Sequence, residues 1–252
     1  MNANMSNVTA QNCPSCQSGS ISPLEASKND YAFVECNNCT LIFVDPMPSH
    51  EALNEFYDNY HKSGQYLAKL DSKIRRAKKR IRSVNWLKKP GTFIDVGCNV
   101  GFAVEAARSL GFEARGIDID ANAIEVAQGQ FTQAKFEVRS VQDLAESGET
   151  FDFIYCSEVI EHLPELDSFF AALVKCLSDG GVLYITTPDN GHFSLPNEFS
   201  KLVDWTSVRP PEHLMYFTKS SVAPLLSRHG LNSVKMPFSF KPTLKIIAKV
   251  KG

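Results

Sequence analysis

The sequence predicts an α/β fold in which a mostly parallel, doubly wound sheet has helices on both faces, preceded by a small cysteine-bearing module. Three observations predict it. Strand-like and helix-like segments alternate from residue 92 onward, a glycine loop follows the first of these strands, and four cysteines stand in two pairs near the N-terminus. Alternating strands and helices are typical of parallel sheets, because a helical crossover returns the chain to the same strand direction.

The order of the elements follows from the hydrophobic period. Short apolar runs bounded by turns indicate buried strands, and apolar residues at three- and four-residue steps indicate helices. Strands are expected over 92–97, 113–118, 135–140, 151–156 and 181–187, and helices over 101–110, 121–129 and 166–177. "SDGG" (178–181) is expected to be a turn, and 190–217 an irregular stretch rich in aromatic residues and prolines. A helix (218–229) and strands 231–237 and 243–250 follow.

Length and composition are ordinary for a globular protein with one large domain and a small module. The chain has 252 residues, 43% hydrophobic and 21% charged, with a formal net charge of -2. This net charge does not favour nucleic acid binding by the molecule as a whole. No apolar run reaches the roughly 18 residues of a membrane span, and "MNANMSNVTAQN" lacks a signal-peptide pattern. A cytoplasmic location is therefore expected. In the cytoplasm, cysteines are more often metal ligands or core residues than partners in disulfide bonds.

Two Cys-x-x-Cys pairs form the clearest motif of the N-terminal region. Cys13 and Cys16 make "CPSC", Cys36 and Cys39 make "CNNC", and 19 residues separate the pairs. Two such turns supply the four sulfurs of a closed tetrahedral zinc site. Because no ligand position is left for water, the expected zinc ion is structural. It would stabilise a zinc ribbon over residues 1–48, which is too small for a core of its own.

Residues 49–89 are expected to form a helical cap or linker. Ser49 is a candidate N-cap of a helix that runs through Tyr60. The following helix is amphipathic, with apolar residues Leu67, Leu70, Ile74, Ala77, Ile81 and Val84 and basic residues Lys69, Lys73, Arg75, Arg76, Lys78, Lys79, Arg80 and Arg82. The basic residues are interpreted as a solvated face, because no aromatic residues that could stack on bases are interleaved with them. Contact with RNA or another polyanion is the alternative.

The segment "DVGCNVG" stands directly after a strand, where doubly wound sheets bind nucleotides. Gly97 and Gly101 let the backbone approach a ligand closely. A dinucleotide loop needs a glycine where this sequence has Asn99, and Asp95 favours a cationic ligand over a pyrophosphate. Asp118 ends the second strand in "GIDID", where an acid accepts the ribose hydroxyls. The pattern predicts a nucleoside with an ammonium group and no phosphate, which describes S-adenosylmethionine.

Four stretches resemble the class I S-adenosylmethionine-dependent methyltransferases in order and spacing. They are "FIDVGCNVGF", "GIDID", "FDFIYCSEVIEHLPE" and "LSDGGVLYITTPD", and they cover about 92 to 189. The resemblance implies a Rossmann-like methyltransferase domain over 90–252 whose last strand is antiparallel. It also implies cofactor-binding roles for Asp95, Gly97, Cys98, Asn99 and Gly101 in the loop, Asp118 at the ribose, Ile119, Gln142 and Asp143 around the adenine, and Ser157 and Glu158 beside the methyl group.

The cysteine module together with "FVDPMPSHEALNEFYDNYH" is similar to bacterial methyltransferases of sugar, polysaccharide and natural-product pathways. Sugar methyltransferases with a two-pair cysteine module place a Glu-His pair after the fifth strand, where this sequence has Glu212 and His213 in "RPPEHLMYFT". Such enzymes have Tyr two residues before the Glu, and this chain has Pro210. This departure puts a carbon-methylating activity in doubt.

A hydroxyl or carbon acceptor needs a general base, and histidine titrates in the appropriate range. His213 is the first candidate, with Glu212 to orient it. His162, in "EVIEHLPE", is the second candidate, although Glu-His at this place is also common as a structural feature. His192 is a candidate lid residue, and Tyr57, Tyr60 and His61 are candidate roof residues.

The leading interpretation is an S-adenosylmethionine-dependent methyltransferase that acts on a small molecule, such as a sugar or a polysaccharide or natural-product intermediate. One alternative is an RNA methyltransferase that binds its substrate through the zinc ribbon and the basic helix. Against this alternative stands "CSEV", where a base-clamping N-P-P-[YF] motif would follow strand four. Another alternative is a non-catalytic interaction module that senses the cofactor.

Overall fold

The computed structural model describes residues 9–58, 70–84 and 90–251. The candidate roof residues Tyr60 and His61, and Leu67 and Lys69 of the predicted amphipathic helix, lie outside these ranges. The chain divides into two compact units that both use separated segments. Unit one comprises 1–60, 158–167 and 186–245, and unit two comprises 61–157, 168–185 and 246–252. Among the described residues, no helix is both long enough and apolar enough to cross a membrane.

A seven-stranded sheet forms the centre of the predicted methyltransferase domain. Its strands are β4 (Thr92–Val96), β5 (Glu113–Asp118), β6 (Lys135–Val138), β7 (Phe151–Ser157), β8 (Leu177–Pro188), β10 (Leu231–Lys235) and β11 (Thr243–Val250). Their order is β10-β11-β8-β7-β4-β5-β6. Strand β4 pairs in parallel with β5 and β7, and β5 pairs in parallel with β6. The α/β prediction with a mostly parallel sheet is therefore confirmed.

The last strand runs against its neighbour, as the resemblance implied. Strand β8 ends at Pro188 and β11 begins at Thr243. The backbone N–H of Asp189 donates to the carbonyl of Pro242 at 3.2 Å, so the end of β8 lies beside the start of β11. Two neighbouring strands with this arrangement are antiparallel.

The core of unit two is built from aromatic side chains of the sheet and small side chains of the helices. Helices α2 (Leu70–Arg82), α3 (Phe102–Arg108) and α4 (Ala121–Gln130) belong to this unit. The core residues include Ala77, Ile81, Phe93, Val104, Phe153, Tyr155 and Tyr184. The apolar stripe of α2 is thus used by the core, as its three- and four-residue spacing predicts.

Helix α5 (Val141–Glu146) was not expected from the hydrophobic pattern. It begins with a capping box, in which Ser140 Oγ accepts from the N–H of Asp143 and the Asp143 carboxylate accepts from the N–H of Ser140. Two of its residues, Val141 and Leu144, are buried. Six residues are too few to show a helical period, so only the Ser-x-x-acid spacing could have indicated this helix.

The turn predicted at "SDGG" is wrong. Strand β8 starts at Leu177 and continues through Asp179 and both glycines. Gly180 has a φ of 74°, a left-handed conformation that glycine adopts at irregularities within strands. Gly180 therefore marks an irregularity within β8 and not the end of a strand.

Unit one contains a four-stranded sheet with the order β1-β2-β3-β9. Strands β1 (Ile21–Lys28), β2 (Tyr31–Cys36) and β3 (Ile42–Val44) form an antiparallel meander. Strand β9 (Met215–Tyr216) pairs with β3, so the stretch predicted to be irregular contains a strand. The same unit contains helices α1 (His50–Asp58), α7 (Phe199–Leu202) and α8 (Lys219–Arg228), and a 3-10 helix, η1 (Ile160–His162). Helix α6 (Leu166–Lys175) is divided, because its first two residues belong to unit one and the others to unit two.

Candidate functional site

The loop after β4 has the left-handed backbone that a ligand-approaching loop requires. Gly97 and Gly101 have φ values of 74° and 84°, and Asn99 has a φ of 48°. A Cβ on Gly101 would lie 2.5 Å from Cζ of Phe136, so only glycine fits there. Asparagine tolerates the left-handed region, and the Asn99 Oδ1 accepts from the N–H of Val100 at 2.8 Å. Asn99 therefore adopts the left-handed conformation that a glycine would otherwise supply at this position.

Asp118 joins the end of β5 to this loop. Its Oδ2 accepts from the N–H of Asn99 at 2.7 Å, and its Oδ1 accepts from the N–H of Asp120 at 3.0 Å. A carboxylate offers about four acceptor positions, so about two remain for ligand hydroxyls. The geometry fits the ribose role that the sequence assigns to Asp118.

Two acidic side chains approach one another at the loop. Asp95 is buried, and burial and the neighbouring Asp118 carboxylate raise the pKa of Asp95 well above its usual value. Burial also raises the pKa of Asp118. A positive charge beside the two carboxyls would favour their ionised forms and relieve their repulsion. The pair therefore fits a cationic nucleoside and does not fit a pyrophosphate.

Cys98 forms part of the wall of the loop. Its side chain is buried against β5, where a Cβ on Gly116 would lie 2.8 Å from the Cys98 Sγ. Burial and the Asp95 carboxyl raise the pKa of the Cys98 thiol. The thiolate is the nucleophilic form of cysteine, so a thiol with a raised pKa has a structural role here.

The residues assigned to the adenine are exposed side chains of unit two. Ile119 directly follows the ribose acid, and 78% of it is accessible, which leaves an apolar surface for a planar base. Gln142 is exposed on α5. The Asp143 carboxylate is engaged in the capping box, because its Oδ2 accepts from Ser140 Oγ at 2.6 Å. That hydrogen bond lowers the pKa of Asp143.

Arg80 is a residue of this region that sequence reasoning missed, because it was grouped with a solvated basic face. One guanidinium nitrogen, Nη1, donates to Ser157 Oγ at 2.8 Å and to Tyr155 Oη at 3.2 Å. Ser157 is the last residue of β7 and was assigned to the methyl side of the cofactor. Its neighbour Glu158, in unit one, has a φ of 58° and accepts from Thr186 Oγ1 at 2.7 Å. No local sequence signal distinguishes Arg80 from the other basic residues of α2.

Two candidate bases, His162 and His213, lie side by side in unit one. Their ring centroids are 4.7 Å apart with an edge-on orientation. His213 Nδ1 lies 2.7 Å from the carbonyl oxygen of Ser207, so Nδ1 holds the proton. Its Nε2 accepts from Nε and Nη2 of Arg209 at 3.2 and 3.1 Å. The lone pair of His213 is thus on Nε2 and faces Arg209.

Glu212 and Glu161 differ in their partners. Glu212 Oε1 lies 3.1 Å from Arg209 Nη2, so the structure pairs this carboxylate with the arginine and not with the ring of His213. Glu161 is buried, and neither carboxylate oxygen has a partner of good hydrogen-bond geometry among the described residues. Its Oε1 lies 4.0 Å from His162 Nε2. Burial and the nearby Glu158 raise the pKa of Glu161 well above its usual value.

The remaining candidate residues also have defined neighbours. Tyr57 Oη lies 3.4 Å from His162 Nδ1, which places this roof candidate beside the second base candidate. His192 Nε2 lies 3.0 Å from the carbonyl oxygen of Ser239, and its Nδ1 lies 2.7 Å from Ser194 Oγ. His192 therefore links two chain segments, and both of its ring nitrogens are used.

The two histidines predict a loss of stability in mild acid. Burial lowers the pKa of His162 to about 4 and that of His213 to about 3. The pKa in an unfolded chain is about 6.5, so below that pH the unfolded chain binds more protons and stability falls as pH falls. At pH 5 the expected loss is about 2 kcal/mol for each histidine.

Urea unfolding at pH 7 and pH 5 measures this loss. His162→Gln should lose about 2 kcal/mol less than the unsubstituted chain between the two values. His50→Gln is the control, because the His50 side chain is 73% exposed. Equal pH dependence of the His162 variant and the unsubstituted chain would show that His162 is not neutral in the folded protein.

The four N-terminal cysteines converge in unit one. Their four Sγ atoms all lie within 4.8 Å of one another. Cys13 Sγ is 3.6 Å from Cys39 Sγ, and Cys16 Sγ is 3.5 Å from Cys36 Sγ. These distances are far longer than the roughly 2.05 Å of a disulfide. Hydrogen bonds from the Cys39 thiol and from backbone N–H groups lower the pKa of Cys13 to about 5.

The two cysteine turns have the same backbone structure. The N–H of Gln17 donates to the carbonyl of Cys13, and the N–H of Thr40 donates to the carbonyl of Cys36, each at 2.9 Å. Gln17 and Thr40 both have a φ of 63°. The matched turns aim two pairs of sulfurs at one point, which is the donor set of a tetrahedral zinc site.

Helix α8 supports both turns from within unit one. Arg228 Nη1 donates to the carbonyl of Ser15 at 2.6 Å. Thr40 Oγ1 lies 2.9 Å from the hydroxyls of Thr218 and Ser220. The cysteine cluster is therefore attached to the segment that follows β9.

Curated relatives match part of the chain. A ubiquinone biosynthesis O-methyltransferase of Mesorhizobium japonicum is 34% identical over 98 residues, which are 37% of this chain and 39% of the relative. One of Bartonella bacilliformis is 35% identical over 98 residues, 37% of this chain and 40% of the relative. The matches thus span about two fifths of the length of these relatives.

Solved structures with low sequence identity share the fold. A Burkholderia thailandensis 1,6-didemethyltoxoflavin-N1-methyltransferase has a TM-score of 0.60 at 16% identity, covering 91% of this chain and 99% of that one. The magnesium protoporphyrin IX methyltransferase of Synechocystis PCC 6803 with bound S-adenosylhomocysteine has a TM-score of 0.58 at 17% identity, covering 81% and 100%. Residues 66–236 match a family profile described as a methyltransferase domain. The chain therefore belongs to the methyltransferase domain family.

Proposed function

We propose that the chain transfers a methyl group from S-adenosylmethionine to a small-molecule acceptor. The observation that supports this most is the pair of acidic side chains, Asp95 and Asp118, at a left-handed glycine loop. The loop gives close backbone approach, Asp118 has acceptor positions left for hydroxyls, and Ile119 exposes an apolar surface. A nucleoside satisfies all three features, and a positive charge on it would favour the ionised forms of the two carboxyls.

The residues of unit two would divide the work of binding the donor. The loop residues Gly97 to Gly101 with Asp95 would bind the methionine end, and Asp118 the ribose. Ile119, Gln142 and Asp143 would surround the adenine, while Ser157, fixed by Arg80, and Glu158 would act beside the methyl group. When bound, S-adenosylmethionine supplies a methyl group on a sulfonium, so catalysis consists mostly of positioning and exclusion of water.

We assign the general base to His213. Its Nδ1–H donates to the Ser207 carbonyl, which leaves the lone pair on Nε2. Burial and nearby cations, Arg209 among them, lower the pKa of His213, so displacement of Arg209 from the ring by the acceptor would make Nε2 more basic. Arg209 donates to that lone pair, and Glu212 binds Arg209. An acceptor hydroxyl that replaces the arginine would reach Nε2, and Glu212 would then act by holding Arg209. His162 packs against the ring and is the second candidate.

The acceptor is proposed to be a sugar or a polysaccharide or natural-product intermediate. The resemblance of the cysteine module and of "RPPEHLMYFT" to sugar methyltransferases supports this class. The relatives named for ubiquinone biosynthesis also point to a small molecule, and their name specifies oxygen methylation. Pro210 stands where the carbon-methylating enzymes have Tyr, so oxygen is the favoured acceptor atom.

We also propose that Cys13, Cys16, Cys36 and Cys39 bind one structural zinc ion in a ribbon formed by residues 1–48. The convergence of the four sulfurs and the matched turns support this assignment. Zinc held by four thiolates has no open coordination position, so its contribution is to folding.

RNA is kept as a second acceptor because of the basic face of α2. Arg75, Arg76, Lys79 and Arg82 are exposed, and none of them forms an ion pair with a residue that the structure describes. Cations without counter-ions favour a polyanion. Retention on immobilised RNA that weakens with salt, together with methylation of that RNA, would support this acceptor.

The proposed function is tested by a panel of sugars, phenols and RNA with methyl-labelled S-adenosylmethionine. We expect label in a small-molecule product. His213→Ala should reduce kcat by about 100-fold or more, the typical contribution of a general base. The same variant should bind S-adenosylhomocysteine normally, because His213 belongs to unit one and the donor residues mostly to unit two.

Val250→Ser serves as a control for this panel, since Val250 is exposed at the end of β11 and has no assigned role. Near-normal turnover of His213→Ala would contradict the assignment of the base. Binding of the cofactor without transfer to any acceptor in the panel would contradict the enzymatic function and favour a sensing module.

A further inference from the structure

Three phenylalanines of unit one are exposed together. Phe193, Phe238 and Phe240 are 70%, 62% and 85% accessible, whereas most phenylalanines of the chain are buried. The rings of Phe193 and Phe238 are stacked at 5.9 Å and 11°, and Phe240 packs edge-on against Phe238 at 4.9 Å. We call these three residues the aromatic tip. Contiguous exposed apolar surface of this kind marks an interaction site.

The aromatic tip is held in place by polar contacts. Phe238 and Phe240 lie in the connection between β10 and β11, and Phe193 lies in the loop after β8. His192 connects the two segments, because its Nε2 lies 3.0 Å from the Ser239 carbonyl. The N–H of Thr243 donates to the carbonyl of Lys241 at 2.7 Å and tightens the turn. The exposed rings therefore form a fixed surface rather than a frayed end.

Lysines lie on both sides of the aromatic tip in the sequence and in the cavity beside it. Residues 230–245 include three lysines and no aspartate or glutamate. Lys235 and Lys241, on either side of "MPFSF", are exposed. A cavity of about 150 Å³ between the two segments is lined by Phe193, Phe238, Lys219 and Lys245, with the buried Asp189 as its acidic residue. The charge at the tip is therefore positive.

We propose that the aromatic tip is a docking site for the surface of an anionic lipid bilayer. Aromatic rings flanked by lysines match the two layers of such a surface, because the rings enter the acyl boundary while the ammonium groups stay at the phosphates. Lys219 and Lys245 would meet phosphates from within the cavity. This docking is separate from the proposed reaction, since none of the tip residues has a role in it.

The exposed area and charge favour lipid over a second copy of the chain. The three accessible rings expose on the order of 400 Å². A stable dimer buries about 800 Å² on each partner, about twice that area. A two-fold contact through the tip would also bring Lys235 and Lys241 towards the same lysines of a second copy, which is unfavourable.

Co-sedimentation of the full chain with vesicles tests the proposal. We expect binding to phosphatidylcholine vesicles that contain phosphatidylglycerol, and much weaker binding to phosphatidylcholine alone. Phe238→Ser and Phe240→Ser should each weaken binding about tenfold, the effect of withdrawing one ring from an apolar phase. Lys241→Glu should weaken it by at least about fivefold.

Matched controls separate the tip from general surface effects. Val138→Ser removes another exposed apolar side chain, and Lys135→Glu reverses another exposed lysine; both should bind vesicles normally. Sedimentation velocity without lipid would reveal self-association through the tip. A dimer that Phe238→Ser dissociates, or equal vesicle binding by the tip variants and the unsubstituted chain, would overturn the proposal, as would absence of vesicle binding.

Discussion

Replacing Cys39 by serine is expected to abolish zinc binding and to unfold the sheet β1–β3. The buried sulfurs of the cluster have one another as neighbours, and the module around them is small. Structural zinc sites contribute about 10–16 kcal/mol of apparent binding free energy at pH 7, so the loss exceeds the stability of most domains. Elemental analysis should find one zinc per chain before the substitution and none after it, and limited proteolysis should then cut within residues 10–45.

Cys176→Ala is the control for this experiment. Cys176 is also buried, yet it lies outside the cluster, so its variant should keep the metal and resist proteolysis. Chelation of the unsubstituted protein should reproduce the Cys39→Ser cleavage pattern. Protein purified without chelator that contains no zinc would remove the zinc assignment.

Asp118→Ala is expected to weaken binding of S-adenosylhomocysteine by about 100-fold. The substitution removes a charged acceptor for the ribose hydroxyls and leaves the N–H groups of Asn99 and Asp120 without their carboxylate. Hydrogen bonds to charged groups contribute about 1.5–3 kcal/mol, and 2.7 kcal/mol is about 100-fold in affinity. Titration calorimetry measures this change directly.

Asp120→Ala is the matched substitution two residues further on. Asp120 is the N-cap of α4, and its carboxylate accepts from the N–H groups of Asn122 and Ala123. Its loss should lower stability by about 1 kcal/mol but keep the affinity for the nucleoside. Equal losses of affinity in the two variants, or no loss in Asp118→Ala, would refute the ribose assignment.

The glycine loop was predictable because its signals are local. A buried apolar strand, an acid and two glycines at fixed spacing require one backbone conformation, and the structure has left-handed φ values at Gly97, Asn99 and Gly101. The convergence of the four cysteines was likewise predictable, because each Cys-x-x-Cys turn has a defined geometry. Each motif is a short stretch of sequence, so the residues that form the loop and the cysteine turns could be named from the sequence.

The contacts between distant segments were not readable from the sequence. Arg80 reaches Ser157 across 77 positions, and nothing in a helical period specifies which basic residue turns towards the sheet. Strand β9 has only two residues and exists because β3 offers it a partner. Glu212 was expected to orient His213, but Glu212 pairs with Arg209, and it is Arg209 that donates to His213 Nε2. Adjacent side chains often point to different neighbours.

The loop after β4 is expected to bind a methyl donor and not a dinucleotide. Calorimetric titration of the full chain with S-adenosylhomocysteine, and separately with NAD, distinguishes the two ligands. We predict one S-adenosylhomocysteine per chain, displaced by S-adenosylmethionine, and no heat of binding for NAD. Binding of NAD in the absence of any binding of S-adenosylhomocysteine would show that the loop is a dinucleotide site.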